Sequence, residues 1–246
     1  MLRSLFRRSQ PALPRIPGGC RVYAIGDVHG CDAEFARLLE LIDADEAGRA
    51  PASRVTVLLG DLVDRGPDSA GVVARAMAMP GEVHLLAGNH EEIFLGACDG
   101  DAEMLRLFAR VGGRETALSY GIDEQTYDAA DYDELHRLLV AAVPAAHRDF
   151  LLAAEPYWSA GDYAFVHAGI LPGVPLAEQK HADLRWIRSR FLNHAGPHEK
   201  FIVHGHTITE EVDERPCRLG IDTGAFATGR LTAVGLEGEA RWFLQT

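Results

Sequence analysis

No apolar run in this 246-residue chain approaches the ~20 residues needed to cross a bilayer, so no membrane span is expected. Positive charge is also scarce: 24 Lys and Arg against 36 Asp and Glu leave a net charge of -12 at pH 7. That balance excludes a broad basic groove, and with it a nucleic-acid partner. An acidic chain that handles phosphate must gather positive charge locally, in a few arginines or in bound metal ions. The four cysteines, Cys20, Cys31, Cys98 and Cys217, include no C-x-x-C pair, which removes zinc-ribbon and thioredoxin readings. In a chain of this length they read as reduced core thiols, which points to the cytoplasm. Aromatics are only 8% of residues, and Tyr120, Tyr157 and Trp186 are the candidates to stack on a nucleobase. The segment from Met1 to Arg15 lacks the continuous apolar centre of a secretory leader. Residues 1–19, with Arg3, Arg7, Arg8 and Arg15 among Pro11, Pro14 and Pro17, are expected to form a flexible basic tail. Leu2, Leu5 and Phe6 offer it an apolar edge toward a membrane surface or a partner.

What is present is an ordinary globular composition, 47% apolar and 24% charged, enough for one α/β domain over residues 20–246. Strands are expected at Arg21 to Ile25, Val55 to Leu59 and Val83 to Ala87. Helices alternate with them, one capped by Asp32 and one by Asp68 or Ser69. That rhythm implies a parallel sheet with right-handed crossovers. Residues 99–154 carry helical spacing, as at Met104, Leu105 and Phe108, and read as a helical cap inserted beside the sheet. Short β-like segments follow at Tyr163 to Val166, Lys200 to Val203, Arg218 to Ile221, Leu231 to Leu236 and Ala240 to Leu244, the last two forming a hairpin around Gly238. These imply a second sheet packed on the first, with helices outside.

The residues that follow these strands carry the chemistry. The ends are Gly26-Asp27-Val28-His29-Gly30, Gly60-Asp61-Leu62-Val63-Asp64-Arg65-Gly66, Asn89-His90-Glu91, His167-Ala168-Gly169 and His204-Gly205-His206-Thr207. Sites in α/β sheets form at the carboxyl ends of strands. Asp61 reads as a carboxylate shared by two metal ions, and Arg65 as a planar fork for phosphate oxygens. Asp27 and His29, two apart in an extended segment, would point the same way. Mixed nitrogen and oxygen donors suit manganese, iron or zinc better than calcium. Singly, each motif has a plainer explanation: a polar turn, an αL asparagine, a structural histidine. Jointly, the plain reading needs the same accident at every strand end.

Together these motifs resemble the calcineurin-like metallophosphoesterases, and within them the bacterial and phage phosphoprotein phosphatases. The resemblance runs from about Arg21 to the C-terminus. It implies two packed sheets flanked by helices, and a binuclear centre of two divalent ions, manganese first, with iron, zinc or nickel as alternatives. Asp27, His29 and Asp61 would hold one ion, and Asp61, Asn89, His167 and His206 the other. A metal-bound hydroxide would attack phosphorus in line, with His90 as general acid and Asp64 orienting it. Arg65 and Arg188 would bind the phosphoryl group, with Arg185 and Arg190 as substitutes for Arg188. The expected activity is a phosphomonoesterase of the protein serine/threonine type acting on a phosphorylated protein. The alternatives are hydrolysis of symmetrical diadenosine tetraphosphate or another small phosphoester, and a scaffold that only recognises phosphate. His204 is left open as a further residue within reach of the site.

Overall fold

The computed structural model describes residues 13–246. The basic stretch before residue 13, with Leu2, Leu5 and Phe6, lies outside the described residues. The chain runs β1 (Cys20–Ile25), α1 (Asp32–Ala47), β2 (Ser53–Leu58), α2 (Ser69–Met77), β3 (Glu82–Leu85) and α3 (Asn89–Cys98). The helical segment follows as α4 (Ala102–Val111), α5 (Gly113–Ser119), α6 (Glu124–Ala129), α7 (Tyr132–Ala142) and α8 (Ala145–Leu152). Then come β4 (Trp158–Ala160), β5 (Tyr163–Phe165), α9 (His181–Trp186), α10 (Ser189–Leu192) and β6 (Phe201–His204). The chain closes with β7 (Asp213–Arg215), β8 (Arg218–Gly220), α11 (Ala225–Thr228), β9 (Thr232–Glu237) and β10 (Ala240–Gln245).

Two five-stranded sheets form, in the orders β10-β9-β1-β2-β3 and β4-β5-β6-β8-β7. Side-chain alternation explains why they stack. In β1, Val22 and Ala24 face one way and Tyr23 and Ile25 the other. The first pair meets Phe165, Val203 and Leu219 of the second sheet in an inter-sheet core. The second pair meets Phe35 and Leu38 of α1, with Phe94 of α3 and Phe108 of α4 in the same cluster. A third cluster, including Ile202, Leu184 and Phe191, covers the outer face of the second sheet. The architecture is therefore a two-sheet sandwich flanked by helices, as the sequence implied.

Several local expectations differ from the structure. The β9–β10 hairpin turns about Gly238 as expected, but it extends the first sheet: β9 pairs antiparallel with β1, Val22 opposite Leu236. It thereby covers what would otherwise be an open edge of β1. The edge strands β4 and β7, three residues each, left no readable pattern. Asp32 does not cap α1, whose N-cap is Cys31; its carboxylate instead takes both Nε and Nη2 of Arg75 on α2, at 2.7 Å each. Asp68 does cap α2, accepting from the Gly71 N–H at 2.7 Å. Upstream of β1, Ile16 is buried, and its N–H donates to the Gly238 carbonyl at 2.9 Å, so packing begins before Cys20. The four cysteines are free thiols. No helix among the described residues is long and apolar enough to cross a membrane.

Candidate metal centre

Six strands run parallel within their sheets, β1, β2 and β3 in the first and β5, β6 and β8 in the second. The loops after them meet at one rim. Backbone conformation marks that rim. Among the described residues, the non-glycine positions with positive φ are His29, Asp61, Asp64, Arg65 and His206, with values from 47° to 71°. All five belong to the predicted site. Such conformations cost of order 1–3 kcal/mol each and persist only where surrounding contacts impose them. His29 is thus not in extended backbone, as the spacing of Asp27 and His29 had implied. The N–H groups of Val28 and His29 both donate to the Asp61 carbonyl, at 3.1 and 2.8 Å, and this folds the first loop onto the second.

Two histidines are fixed in the same way. His29 donates Nδ1–H to the Val63 carbonyl, and His167 donates Nδ1–H to the Leu59 carbonyl, each at 2.9 Å. Both rings therefore turn an Nε2 lone pair inward, the arrangement in which a backbone carbonyl sets the tautomer of a metal ligand. His29 Nε2 lies 3.5 Å from Asp61 Oδ2, and His167 Nε2 lies 3.4 Å from Asp61 Oδ1. His167 Nε2 also stands 3.0 Å from Asn89 Oδ1 and 3.2 Å from His206 Nδ1. Asp27 accepts the His206 N–H at Oδ2, while its Oδ1 is buried without a partner, as is His206 Nε2.

These donor atoms fit metal ions. A cation at the centre would satisfy these inward-facing nitrogen and oxygen atoms together. Two triads have ligand atoms within reach of a common point, His29–Asp61–His90 and Asp61–His167–His206, and they share Asp61. Burial pushes the Asp27, Asp61 and Glu91 carboxyls above their ordinary range, each with a neighbouring carboxylate adding to it. Burial likewise lowers His167 to about 4, and burial with His167 and Arg188 nearby lowers His206 to about 2. The neutral imidazoles are already in the ligand state, and a bound cation would stabilise the carboxylates that burial disfavours.

Beside the triads lies a second linked group. His90 Nδ1 donates to Asp64 Oδ2 at 2.7 Å, and Arg65 donates Nη2–H to His90 Nε2 and Nη1–H to His29 Nε2, at 2.9 Å each. Burial disfavours charge on His90, but Asp61 and the bond to Asp64 outweigh it, so its pKa is raised. Helix α4 ends at Gly112 (φ 111°), whose carbonyl accepts the Arg65 N–H at 2.9 Å. A Cβ there would stand 2.6 Å from the Arg65 nitrogen and 2.9 Å from its Cα. Gly112→Ala is expected to destabilise the fold by about 1–3 kcal/mol, read as a lower urea midpoint at unchanged slope.

A family model described as calcineurin-like phosphoesterase matches residues 20–223. The chain belongs to that family.

Its curated relatives include symmetrical tetraphosphatases. The "bis(5'-nucleosyl)-tetraphosphatase, symmetrical" of Acidovorax sp. (strain JS42) is 35% identical over 151 residues, 61% of this chain and 44% of the relative. That of Delftia acidovorans (strain DSM 14801 / SPH-1) is 34% identical over 176 residues, 67% of this chain and 52% of the relative. The match thus spans about half the length of these relatives. A solved structure provisionally assigned as a diadenosine tetraphosphatase superposes with a TM-score of 0.63 at 22% identity, covering 95% of this chain and 96% of that one. A protein serine/threonine phosphatase from Saccharomyces cerevisiae gives 0.56 at 13% identity, covering 92% and 79%. At these identities the solved structures speak to the fold alone. The serine/threonine phosphatase branch implied by the motifs is not the one the curated relatives point to.

Within the phosphoesterase site, Asp27, His29, Asp61, Asn89, His90, His167 and His206 come together with Asp64 and Arg65. His204 does not join them. It lies in β6, where its Nε2 meets Arg218 Nη1 at 3.2 Å and its ring stands edge-on to Phe191. Arg188 is exposed beside His206, while Arg185 is held by Glu92 at 3.2 Å. Tyr120 is half-buried and stacked on Phe94 of α3.

Sequence reasoning missed two acidic residues and an aromatic one. Glu91 accepts the N–H groups of Asp61 and Leu62 at 2.7 Å each and of Gly88 at 3.0 Å, so it holds the Asp61 turn in shape. Asp222 follows β8; it is buried, with Oδ2 unpartnered, and its charge bears on Asp27 and Asp61. Applying the strand-end rule to β8 would have found it. Phe226 on α11 faces the Arg65 guanidinium at 4.9 Å and presents an edge to His29 at 5.5 Å. A single phenylalanine in Ala225-Phe226-Ala227 carries no comparable signal.

Proposed function

We propose that this chain is a two-metal hydrolase of phosphoanhydrides and phosphoesters, acting on a dinucleoside polyphosphate that it splits symmetrically. The linked Arg65–His90–Asp64 group beside two triads that share Asp61 carries the reaction class. The names of the curated relatives favour the nucleotide over a phosphoprotein. Asp27, His29 and Asp61 would hold one ion, and Asp61, Asn89, His167 and His206 the other. This donor set suits manganese, with iron, zinc or nickel as alternatives. Bound there, such ions would supply Lewis acidity toward phosphoryl oxygens and an acidified water.

The chain's own groups do the rest. Arg65 donates two N–H groups toward phosphate oxygens once it releases His29 and His90. His90 Nε2, freed of Arg65, carries the proton that the leaving oxygen takes. Asp64 keeps the ring aimed and favours its protonated form. His90 also stands within reach of His29 and Asp61, but its pairing with Asp64 assigns it to proton transfer, outside the ligand set. Phe226 and Trp186, each 38% exposed, give apolar surface at and near the rim for a nucleobase.

Turnover after manganese reconstitution tests the substrate. Diadenosine tetraphosphate is expected to exceed a phosphothreonine peptide by more than about a hundredfold in kcat/KM, with ADP as the only nucleotide product. A preference for the peptide, or release of AMP and ATP, would overturn the reading. Arg188→Ala is expected to lower kcat/KM by about 10- to 100-fold, the worth of a charge-assisted bond to phosphate, mainly through KM. Arg185→Ala, which breaks the pair with Glu92, is expected to change it far less.

A further inference from the structure

The inserted helical segment touches the reacting groups at one buried side chain. Thr116, in α5, is fully buried. Its Oγ1 donates to Asp64 Oδ1 at 2.7 Å and accepts the Asp64 backbone N–H at 2.8 Å. Ser69 Oγ sits 2.9 Å away. Since the one hydroxyl proton of Thr116 goes to Asp64, Ser69 is the donor in that contact. Asp64 Oδ1 is thus occupied, and Oδ2 is left for His90 Nδ1.

We propose that Thr116 is a positioning residue for acid catalysis: its hydroxyl locks the Asp64 carboxylate against His90, so the helical segment completes the proton-donating apparatus. The proposal rests on the reading of His90 as general acid. A carboxylate torsion is broad and roughly two-fold, so packing alone fixes it poorly. A donor on one oxygen and an imidazole on the other select one orientation. Asp64 also sits at φ 71°, and its N–H is shared between Thr116 Oγ1 at 2.8 Å and Ser69 Oγ at 3.0 Å, whereas only Thr116 of the two bonds the carboxylate. The plainer alternative is a hydroxyl staple joining α5 to α2 through Ser69. A staple would change stability without singling out proton transfer.

Leaving-group dependence separates the two. p-Nitrophenyl phosphate expels an oxygen that needs little protonation, whereas phosphothreonine expels an alkoxide that needs a full proton. In the manganese-loaded full chain, Thr116→Val is expected to slow phosphothreonine hydrolysis about 10- to 100-fold, and p-nitrophenyl phosphate hydrolysis by about threefold or less. Thr116→Ser, which keeps the hydroxyl, is expected to recover most of the loss. In an Asp64→Asn background, Thr116→Val is expected to add nothing, because residues acting through one another are not additive. Equal slowing of both substrates, or additive losses in the double variant, would overturn the role of Thr116. A wild-type protein with two ions bound that turns over neither these phosphoesters nor diadenosine tetraphosphate would instead overturn the reading of the site. Thr116→Ala, which removes the hydroxyl without adding a methyl in its place, keeps the same two-substrate test open if Thr116→Val folds poorly.

Discussion

Asp61→Asn is expected to empty both metal positions and to reduce turnover on the order of 10³-fold or more, since the catalytic work of such ions is worth several kcal/mol. Asp61 faces both sides of the centre: Oδ2 lies 3.5 Å from His29 Nε2 and Oδ1 lies 3.4 Å from His167 Nε2. It is the only residue shared by the two triads. Removing its charge takes the common anion from two cations that would otherwise repel each other. The fold should tolerate the change. Asn is among the few residues that accept positive φ readily, and its carbonyl can still accept the His90 N–H that Oδ1 now accepts. The ion-free protein should even gain stability. Burial raises the Asp61 pKa, so this carboxyl stabilises the folded chain at low pH, and that contribution is lost as pH rises through the folded value. An amide has no such loss. The variant should therefore unfold at higher urea than the chelated parent at pH 8, and elemental analysis should find little metal. Two ions per chain in purified Asp61→Asn would refute the bridging role.

How far the site could be read from sequence followed from what each element displays. The parallel strands β1, β2, β3, β5 and β6 announce themselves by apolar runs, and the residues after them include Asp27, His29, Asp61, Asn89, His167 and His206, the ligand set proposed above. β8 has the same form, but Arg218 at its start and its three-residue length weakened the signal, and Asp222 went unread. The hairpin β9–β10 was legible as a hairpin; its partner was not, because edge pairing depends on which strand is left open in space. Thr116 and Gly112 lay in a segment recognisable as helical but not as touching Asp64 and Arg65, which are 52 and 47 positions away in sequence. The direction of His29 was misjudged, and that of His204 left open, for one reason. Spacing of two implies a shared face only in extended backbone, and His29 and His206 adopt positive φ.

His90→Asn should leave the metal content near wild type, because His90 Nδ1 is committed to Asp64 and Nε2 to Arg65. Its effect on rate should depend on the bond broken. General acid catalysis contributes about 10²- to 10⁴-fold where the leaving oxygen is strongly basic. Phosphothreonine, with an alkoxide to expel, should suffer near the upper end of that range. The bridging bond of diadenosine tetraphosphate expels a phosphate oxygen, which is far less basic, so its loss should fall nearer the lower end. The pH profile supplies a second reading. An acid must be protonated to act, so wild-type turnover of the alkyl ester falls as pH rises through the His90 pKa. Asp64 favours that protonated form through its bond to Nδ1, while bound cations would oppose it. His90→Asn has no such proton to lose, and the alkaline decline assigned to it should vanish. Near-full activity of His90→Asn on phosphothreonine, or an unchanged alkaline decline, would show that the proton comes from elsewhere. Arg65 would then be the only member of the linked group with a direct part in the reaction.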